Sequence, residues 1–447
     1  MLRSELRPTL RLAIPVILAE LGWMAMGVVD TIMVGPLGPA AIAATGVGNS
    51  LHLGFAIFGM GLLLGLDTLV SQAYGAGNHA LCRRWLGRGL ELALVTTLPM
   101  MVVLAGVWLA IPALGFHLDT EVLLSGYFSI LIFSTPFLLL YAAFRRYLQS
   151  IHLVTPVMVA LVTANVINAL ANYAFIYGRL GVPAPLGVPG AAWATFASRL
   201  YMAALLAAAA WWSVRQAHDE REDTGTSTEP TSMARLVRLG LPAASTVTAE
   251  VGVFAVATAL AGRLEPVATA AHQIALNIAA VAFMIPLGLA SAGAVRVGNA
   301  VGARNPGGAA AAGWTVIALG VGFMVCSGLL FVVSPEPLIA LFSRDPAVLA
   351  LGSSLLLIAA VFQLFDGLQG VVTGTLRGLG DTRTPMITNL AAHWLIGLPV
   401  GYSLCFVAGW GAPGLWWGLS VGLIMAGVVL TTVWARRVRR YQHDGHL

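Results

Sequence analysis

The chain has 447 residues, of which 58% are hydrophobic and only 10% charged, with a formal net charge of +5 at pH 7. Globular domains carry roughly a quarter charged residues, so this composition, with a mean hydropathy of +0.85, excludes an ordinary soluble fold and points to the membrane. The basic excess does not point to nucleic acid: every basic residue is arginine, and the arginines follow membrane topology rather than one patch.

The chain begins with Arg3, Arg7 and Arg11 ahead of a long apolar stretch. That stretch is too long for a secretory signal and carries Glu20 and Asp30, so it reads as a retained first span. Apolar stretches of about 20 residues, the length that crosses a bilayer, begin near Arg11, Ala44, Leu86, Leu123, Thr155, Pro189, Leu236, Thr269, Ala309, Leu349, Ile387 and Pro413. They predict twelve helices. The second is the least regular, with a glycine-rich run from Gly54 to Gly65 and with His52 and Asp67 inside it.

Cytoplasmic loops hold the excess of positive charge when helices alternate in direction. With the N-terminus inside, the inner segments hold most of the arginines, from Arg3 through Arg83, Arg145, Arg235, Arg296 and Arg377 to Arg440. The outer loops hold only Arg179, Arg263 and Arg344, and Arg199 lies within the sixth span. Twelve spans with both termini cytoplasmic satisfy this asymmetry, and a cell inner membrane is the expected location.

A polar, low-complexity stretch from Ala217 to Ser232 lies near the midpoint and has the composition of an exposed linker. It divides the chain into a six-helix lobe at 1–214, a linker at 215–235 and a second six-helix lobe at 236–447. The lobes repeat. GPLGPAAIAAT from Gly35 aligns on GRLEPVATAAH from Gly262, GAGN from Gly75 on GARN from Gly302, and Pro15 on Pro242. PGAAW from Pro189 corresponds to PGLWW from Pro413, and RYL from Arg146 to RGL from Arg377. Six helices per lobe is an even number, so these are parallel repeats of one orientation.

A carboxylate at the centre of a bilayer costs about 2.5 to 3.5 kcal/mol, and six fall within the spans: Glu20, Asp30, Asp67, Glu91, Glu250 and Asp366. Asp67 and Glu91 lie near cytoplasmic ends, where snorkelling or pairing with arginine accounts for them. Glu20 is open to a structural or a functional reading. Asp30, Glu250 and Asp366 are the candidate residues for coupling cation and substrate, because each shares a helical face with small or polar neighbours. Gln363, Asp366, Gly370 and Thr373 form one such stripe; Thr246 and Glu250 belong to another, and Trp23, Met26 and Asp30 to a third. An acid beside an aromatic ring and a thioether suits a lipophilic cation. A buried acid can equally pair with arginine, and Arg199 is available.

Asn165, Asn168 and Asn172 make one polar stripe on the fifth span, explained as well by interhelical hydrogen bonding as by ligand binding. Gln273 with Asn277, and Thr45, Asn49 and His52, carry a weaker form of the same expectation. His272 and His393 are lone histidines and read as structural. Pro15, Pro242 and Pro286 are expected to kink their helices. Cys82, Cys326 and Cys405 lie far apart and suggest neither a disulfide framework nor a zinc site. No HExxH, GxSxG, Walker A or Rossmann motif is present, so no enzyme chemistry or ATP binding is expected.

Taken together, these residues resemble the multidrug and toxic compound extrusion (MATE) family, in particular its bacterial NorM-like branch, over essentially the whole chain. The resemblance rests on VVDTIMVGPLG from Val28, DTLVSQAYGAGN from Asp67, the long run from Ala270 to Asn305, and LRGLGDTRTP from Leu376. It implies an all-α, twelve-helix, V-shaped antiporter that exports cationic amphiphiles in exchange for H⁺ or Na⁺. It also implies coupling acids at Asp30, Glu250 and Asp366, with Asn168 and Asn172 in the N-terminal lobe. Glu20 departs from the family pattern, where a neutral polar residue is expected.

The expected cargo is small organic cations, and the expected state is a monomer in the bilayer with no cofactor beyond the coupling ion. A flippase for lipid-linked precursors in the same superfamily is the alternative within transport; a channel and a membrane-embedded enzyme are the alternatives outside it. Acid-lined sites disfavour the flippase, and duplicated lobes with intramembrane acids disfavour the other two. The proton is favoured as coupling ion because Phe362, one turn before Asp366, offers no hydroxyl. Gln363 and Thr373 keep Na⁺ at Glu250 and Asp366 open.

Overall fold

The computed structural model describes residues 2–219 and 231–445, so most of the expected linker lies outside the described residues. Among the described residues there is no β-strand. The first half comprises α1 (Leu2–Val34), α2 (Pro39–Leu62), α3 (Gly65–Gly75), α4 (His79–Ala110), α5 (Leu118–Ser150), α6 (Val154–Tyr177) and α7 (Val188–Asp219). The second comprises α8 (Met233–Ala261), α9 (Pro266–Gly302), α10 (Pro306–Val333), the short α11 (Pro335–Ala340) and α12 (Pro346–Gly378). It continues with α13 (Arg383–Asn389), α14 (Leu398–Tyr402) and α15 (Ala412–Asp444).

Among the described residues, twelve stretches are long and apolar enough to cross a membrane, matching the expected number and order, and the chain is a multi-pass membrane protein. The second stretch combines α2 and α3, which are separated by a turn at Leu63 and Leu64 within the glycine-rich run. The eleventh combines α13 and α14 with two π-helical segments, Leu390–Gly397 and Ser403–Val407, which no sequence pattern announced. Helices α1, α8 and α9 run on through Pro15, Pro242 and Pro286.

The repeat is visible in local structure. Asn78, at the end of GAGN, caps α4 by accepting from the Leu81 amide at 2.9 Å, and Asn305, at the end of GARN, caps α10 by accepting from the Gly308 amide at 2.8 Å. A Cβ on Gly190 would stand 2.7 Å from the Phe175 carbonyl carbon, and one on the matching Gly414 would stand 2.6 Å from the Cys405 nitrogen. Both PG motifs therefore exist to bring a helix start against the preceding helix's backbone. Asn165 Nδ2 donates to the Gly22 carbonyl at 2.9 Å, and Trp394 Nε1 donates to the Ala249 carbonyl at 2.9 Å, so the fifth span of each half is tied to the first by a matching bond.

The chain forms two compact units, and their boundaries differ from the lobes read from sequence. One unit contains residues 18–244; the other contains residues 1–17 and 245–447. The start of each half has joined the other half's unit for a physical reason. Gly61 on α2 leaves room for Ala244, since a Cβ there would lie 2.5 Å from the Ala244 Cα. In the matching position Gly288 on α9 leaves room for Ile17, since a Cβ would lie 2.9 Å from the Ile17 Cα. The core of the 18–244 unit centres on buried Trp85, Tyr127, Phe128 and Tyr141. In the other unit, Phe331, Phe362 and Trp416 are buried together.

Candidate functional site

The structure sorts the six acids expected at membrane depth into two classes. Glu20 is buried and forms an ion pair with Arg145, whose Nη1 also donates to the Tyr141 hydroxyl at 3.4 Å. Trp23 stacks on the same Tyr141 with ring centroids 6.1 Å apart. Asp67 is buried with Arg146 at 3.6 Å, and Glu91 meets Arg88 at 2.6 Å on an exposed face. All three are therefore neutralised by resident arginines, one of the two outcomes, snorkelling or pairing, expected for Asp67 and Glu91. Among the described residues, Asp30, Glu250 and Asp366 form no ion pair.

In the 18–244 unit, α1 carries Asp30 into contact with α6 and α7. Asn172 Nδ2 donates to Asp30 Oδ1 at 2.7 Å and to Asn168 Oδ1 at 3.1 Å. The Thr195 hydroxyl, bonded to the Ala191 carbonyl at 3.1 Å, also lies 3.3 Å from Asp30 Oδ2. Tyr127 on α5 lies beside Thr195. Asn168 and Asn172 are fully buried; Asn168 also lies beside Asp30, and among the described residues Asn172 Oδ1 has no hydrogen-bond partner. Buried polar atoms are normally satisfied, so this site retains an unused acceptor beside its acid. Asn165 does not join it, because its amide is taken up by the carbonyls of Gly22 and Leu161.

Arg199, the available partner for a buried acid, makes no ion pair among the described residues. Its Nη1 donates to Ser134 Oγ at 2.6 Å and faces the ring nitrogens of His52 at 3.4 and 3.5 Å. His52 Nε2 in turn lies 3.2 Å from the Thr135 hydroxyl.

The second site lies in the other unit, between α8 and α12. Glu250 and Asp366 are close enough for their charges to act on one another, and Gln369 lies beside Glu250. Asp366 and Gln369 are buried. Gln363 donates to Ser327 Oγ at 3.3 Å, and among the described residues its Oε1, the Gln369 Oε1 and the Thr373 hydroxyl have no partner. The expected stripe on α12 thus exists and contains one further residue, Gln369. Gln273 and Asn277 lie on an exposed face of α9. His272 is structural, accepting from Trp416 Nε1 at 3.0 Å while its Nε2 lies 3.0 Å from the Thr258 hydroxyl.

The two halves have filled equivalent positions differently. In the register set by GPLG on GRLE, Asp30 corresponds to Ala257 and Trp23 to Glu250; in that set by the PG motifs, Thr195 corresponds to Leu419. Ala257 and Leu419 belong to one small apolar cluster, so the Asp30 and Thr195 contact of one half is an aliphatic contact in the other. Thr195 and Gln369 were missed by periodicity. Their signal was available in this comparison of halves for Thr195, and in the i+3 spacing from Asp366 for Gln369.

The model of the MatE family matches residues 15–174 and 242–403, one segment in each half. A probable multidrug resistance protein NorM of Mesorhizobium japonicum is 37% identical over 448 residues, covering 98% of this chain and 95% of that one. Multidrug resistance protein PmpM of Pseudomonas aeruginosa is 37% identical over 456 residues, covering 99% of this chain and 94% of that one. Among solved structures, the eukaryotic MATE transporter AtDTX14 covers 99% of both chains with a TM-score of 0.85 at 22% identity, a likeness of fold. Matched in both halves and along nearly its whole length, the chain belongs to the MatE family.

Proposed function

We propose that this protein is a multidrug exporter that moves small organic cations out of the cell by antiport against protons. Supporting this reading, three of the six intramembrane acids are neutralised by arginine and three, Asp30, Glu250 and Asp366, make no ion pair among the described residues. A charge in a low-dielectric interior is costly, and an acid that no arginine contacts directly is open to a mobile cation. Drug and proton then compete for the same carboxylates. Proton loading from outside discharges the site and releases the drug, and proton release inside restores it. Asn168, Asn172, Gln363, Gln369 and Thr373 supply neutral polar contacts beside the acids. The names of the two relatives above, both multidrug resistance proteins, agree with a drug as cargo. The arginine asymmetry supports an orientation with both termini in the cytoplasm.

The test is transport in proteoliposomes. An imposed pH gradient without sodium should drive a fluorescent cation across the membrane, and Glu250→Gln and Asp366→Asn should reduce this to background in folded, inserted protein. Transport that needs sodium and ignores the pH gradient would reject the proton version alone. Movement of a lipid-linked pyrophosphate and of no cation would replace the reading with the flippase.

A further inference from the structure

Arg199 is a buried guanidinium in the middle of the 18–244 unit, and it is not needed to neutralise any of the paired acids. Arginine stays protonated in proteins, so its charge is permanent. It lies on α7 one helical turn, about 6 Å along the axis, from Thr195, whose hydroxyl stands 3.3 Å from Asp30 Oδ2. The titratable and charged groups around this site are Asp30 on α1, His52 on α2, Tyr127 on α5 and Arg199 itself, while α6 contributes the neutral Asn168 and Asn172. Arg199 does not touch Asp30. Ser134 and His52 hold it aside, and the Asp30 oxygens are left to Asn172 and Thr195.

We propose that Arg199 is the resident counter-charge of the Asp30 site, a fixed cation that limits how tightly Asp30 holds a mobile one and so lets the cargo leave. The inference rests on Asp30 being a cargo-binding acid. With the site empty, the Asp30 carboxylate and Arg199 balance, so the low-dielectric interior does not hold a lone negative charge. With a cation on Asp30, two positive charges face each other across about one helical turn. Unit charges about 8 Å apart at an effective dielectric of about 20 change an affinity by on the order of tenfold or more. An exporter needs such a limit, since a cation bound too tightly is never released. Standing apart from Asp30 is what the role requires: a direct ion pair would occupy the site, whereas a charge at one remove leaves it open and weakens it.

The experiment is equilibrium binding and dissociation of tetraphenylphosphonium, a permanent cation, on the purified full-length protein at one alkaline pH. Arg199→Gln should bind at least tenfold more tightly and release more slowly. Arg199→Lys, which keeps the charge while losing the guanidinium fork, should bind as the wild type does. In an Asp30→Asn background the Arg199→Gln substitution should make no difference. A structural role alone predicts weaker or unchanged binding in Arg199→Gln, and either result overturns the proposal, as does a tightening that persists without Asp30. If Arg199→Gln does not fold, Arg199→Met takes its place; failure of both beside a normal Arg199→Lys assigns the residue to folding and also overturns it. A wild type that does not bind the probe overturns the exporter reading and this one with it.

Discussion

Asn172 places its amide between two neighbours, donating to Asp30 Oδ1 at 2.7 Å and to Asn168 Oδ1 at 3.1 Å. Asn165, two turns earlier on the same helix, directs its amide to backbone carbonyls instead. Residues of one type on one stripe of α6 thus serve different ends.

This contrast gives a first prediction. Asn172→Leu removes a donor from a buried carboxylate, worth about 1–3 kcal/mol, and should lower cation efflux at least tenfold per folded molecule. Asn165→Leu should lower thermal stability by about 1 kcal/mol and leave efflux per folded molecule near the wild-type rate. Parallel melting curves and liposome efflux assays check both, and equal effects of the two substitutions would refute the division.

The Glu20 and Arg145 pair predicts a stability effect rather than a transport effect. Glu20→Gln strands a buried guanidinium and should cost about 3–5 kcal/mol, whereas replacing both partners with methionine should recover most of that loss. The double variant's thermal midpoint in detergent is the decisive measurement; a midpoint no higher than that of Glu20→Gln would count against the pair's being structural.

The two PG motifs predict equal sensitivity in the two halves. Gly190→Val and Gly414→Val each press a side chain onto backbone atoms less than 3 Å away, where overpacking costs about 1–3 kcal/mol or more. Gly106→Ala, which meets nothing within 4 Å, should be silent. Yields and melting curves of the three proteins test this, and an unaffected Gly414→Val would show that the second motif lacks the packing role of the first.

Topology is testable by labelling. Cys326 is the one exposed native thiol, with Cys82 and Cys405 buried, so Cys326→Ser provides the background for a single cysteine placed between residues 217 and 232. In intact cells that thiol should react with a membrane-permeant maleimide and resist an impermeant one. Ready reaction with the impermeant reagent would reverse the orientation.

The scaffold was far more legible in the sequence than the polar contacts. Span count follows from apolar length, and the matching caps at Asn78 and Asn305 follow from GAGN and GARN, because both signals are local. The α12 stripe was also legible, since Gln363, Asp366 and Thr373 fall on one face by helical spacing alone. What periodicity cannot give is the partner on another helix. Arg199 and Ser134 are 65 residues apart in sequence, and Asp30 and Asn172 are 142 apart, so nothing in either neighbourhood distinguishes Arg199 from a partner of the acid. Exposure is equally hidden, as at Gln273 and Asn277, whose side of α9 depends on what packs against it. The π-helical segments of the eleventh span escaped notice because an added residue per turn leaves no mark in an apolar run.

The reciprocal contacts of Gly61 with Ala244 and of Gly288 with Ile17 bear on how such a chain can be assembled. Each half lends its opening residues to the unit built mostly by the other, so a polypeptide containing only one half would have an unfilled notch at its glycine and an unplaced first segment. Two identical copies would solve both problems at once by trading their leading ends. The present chain has the form of such an exchanged pair joined end to end, and each of its halves needs the other to be complete. Cutting the polypeptide between residues 219 and 231 and producing the fragments separately should give two insoluble products, and producing them together should give one intact protein.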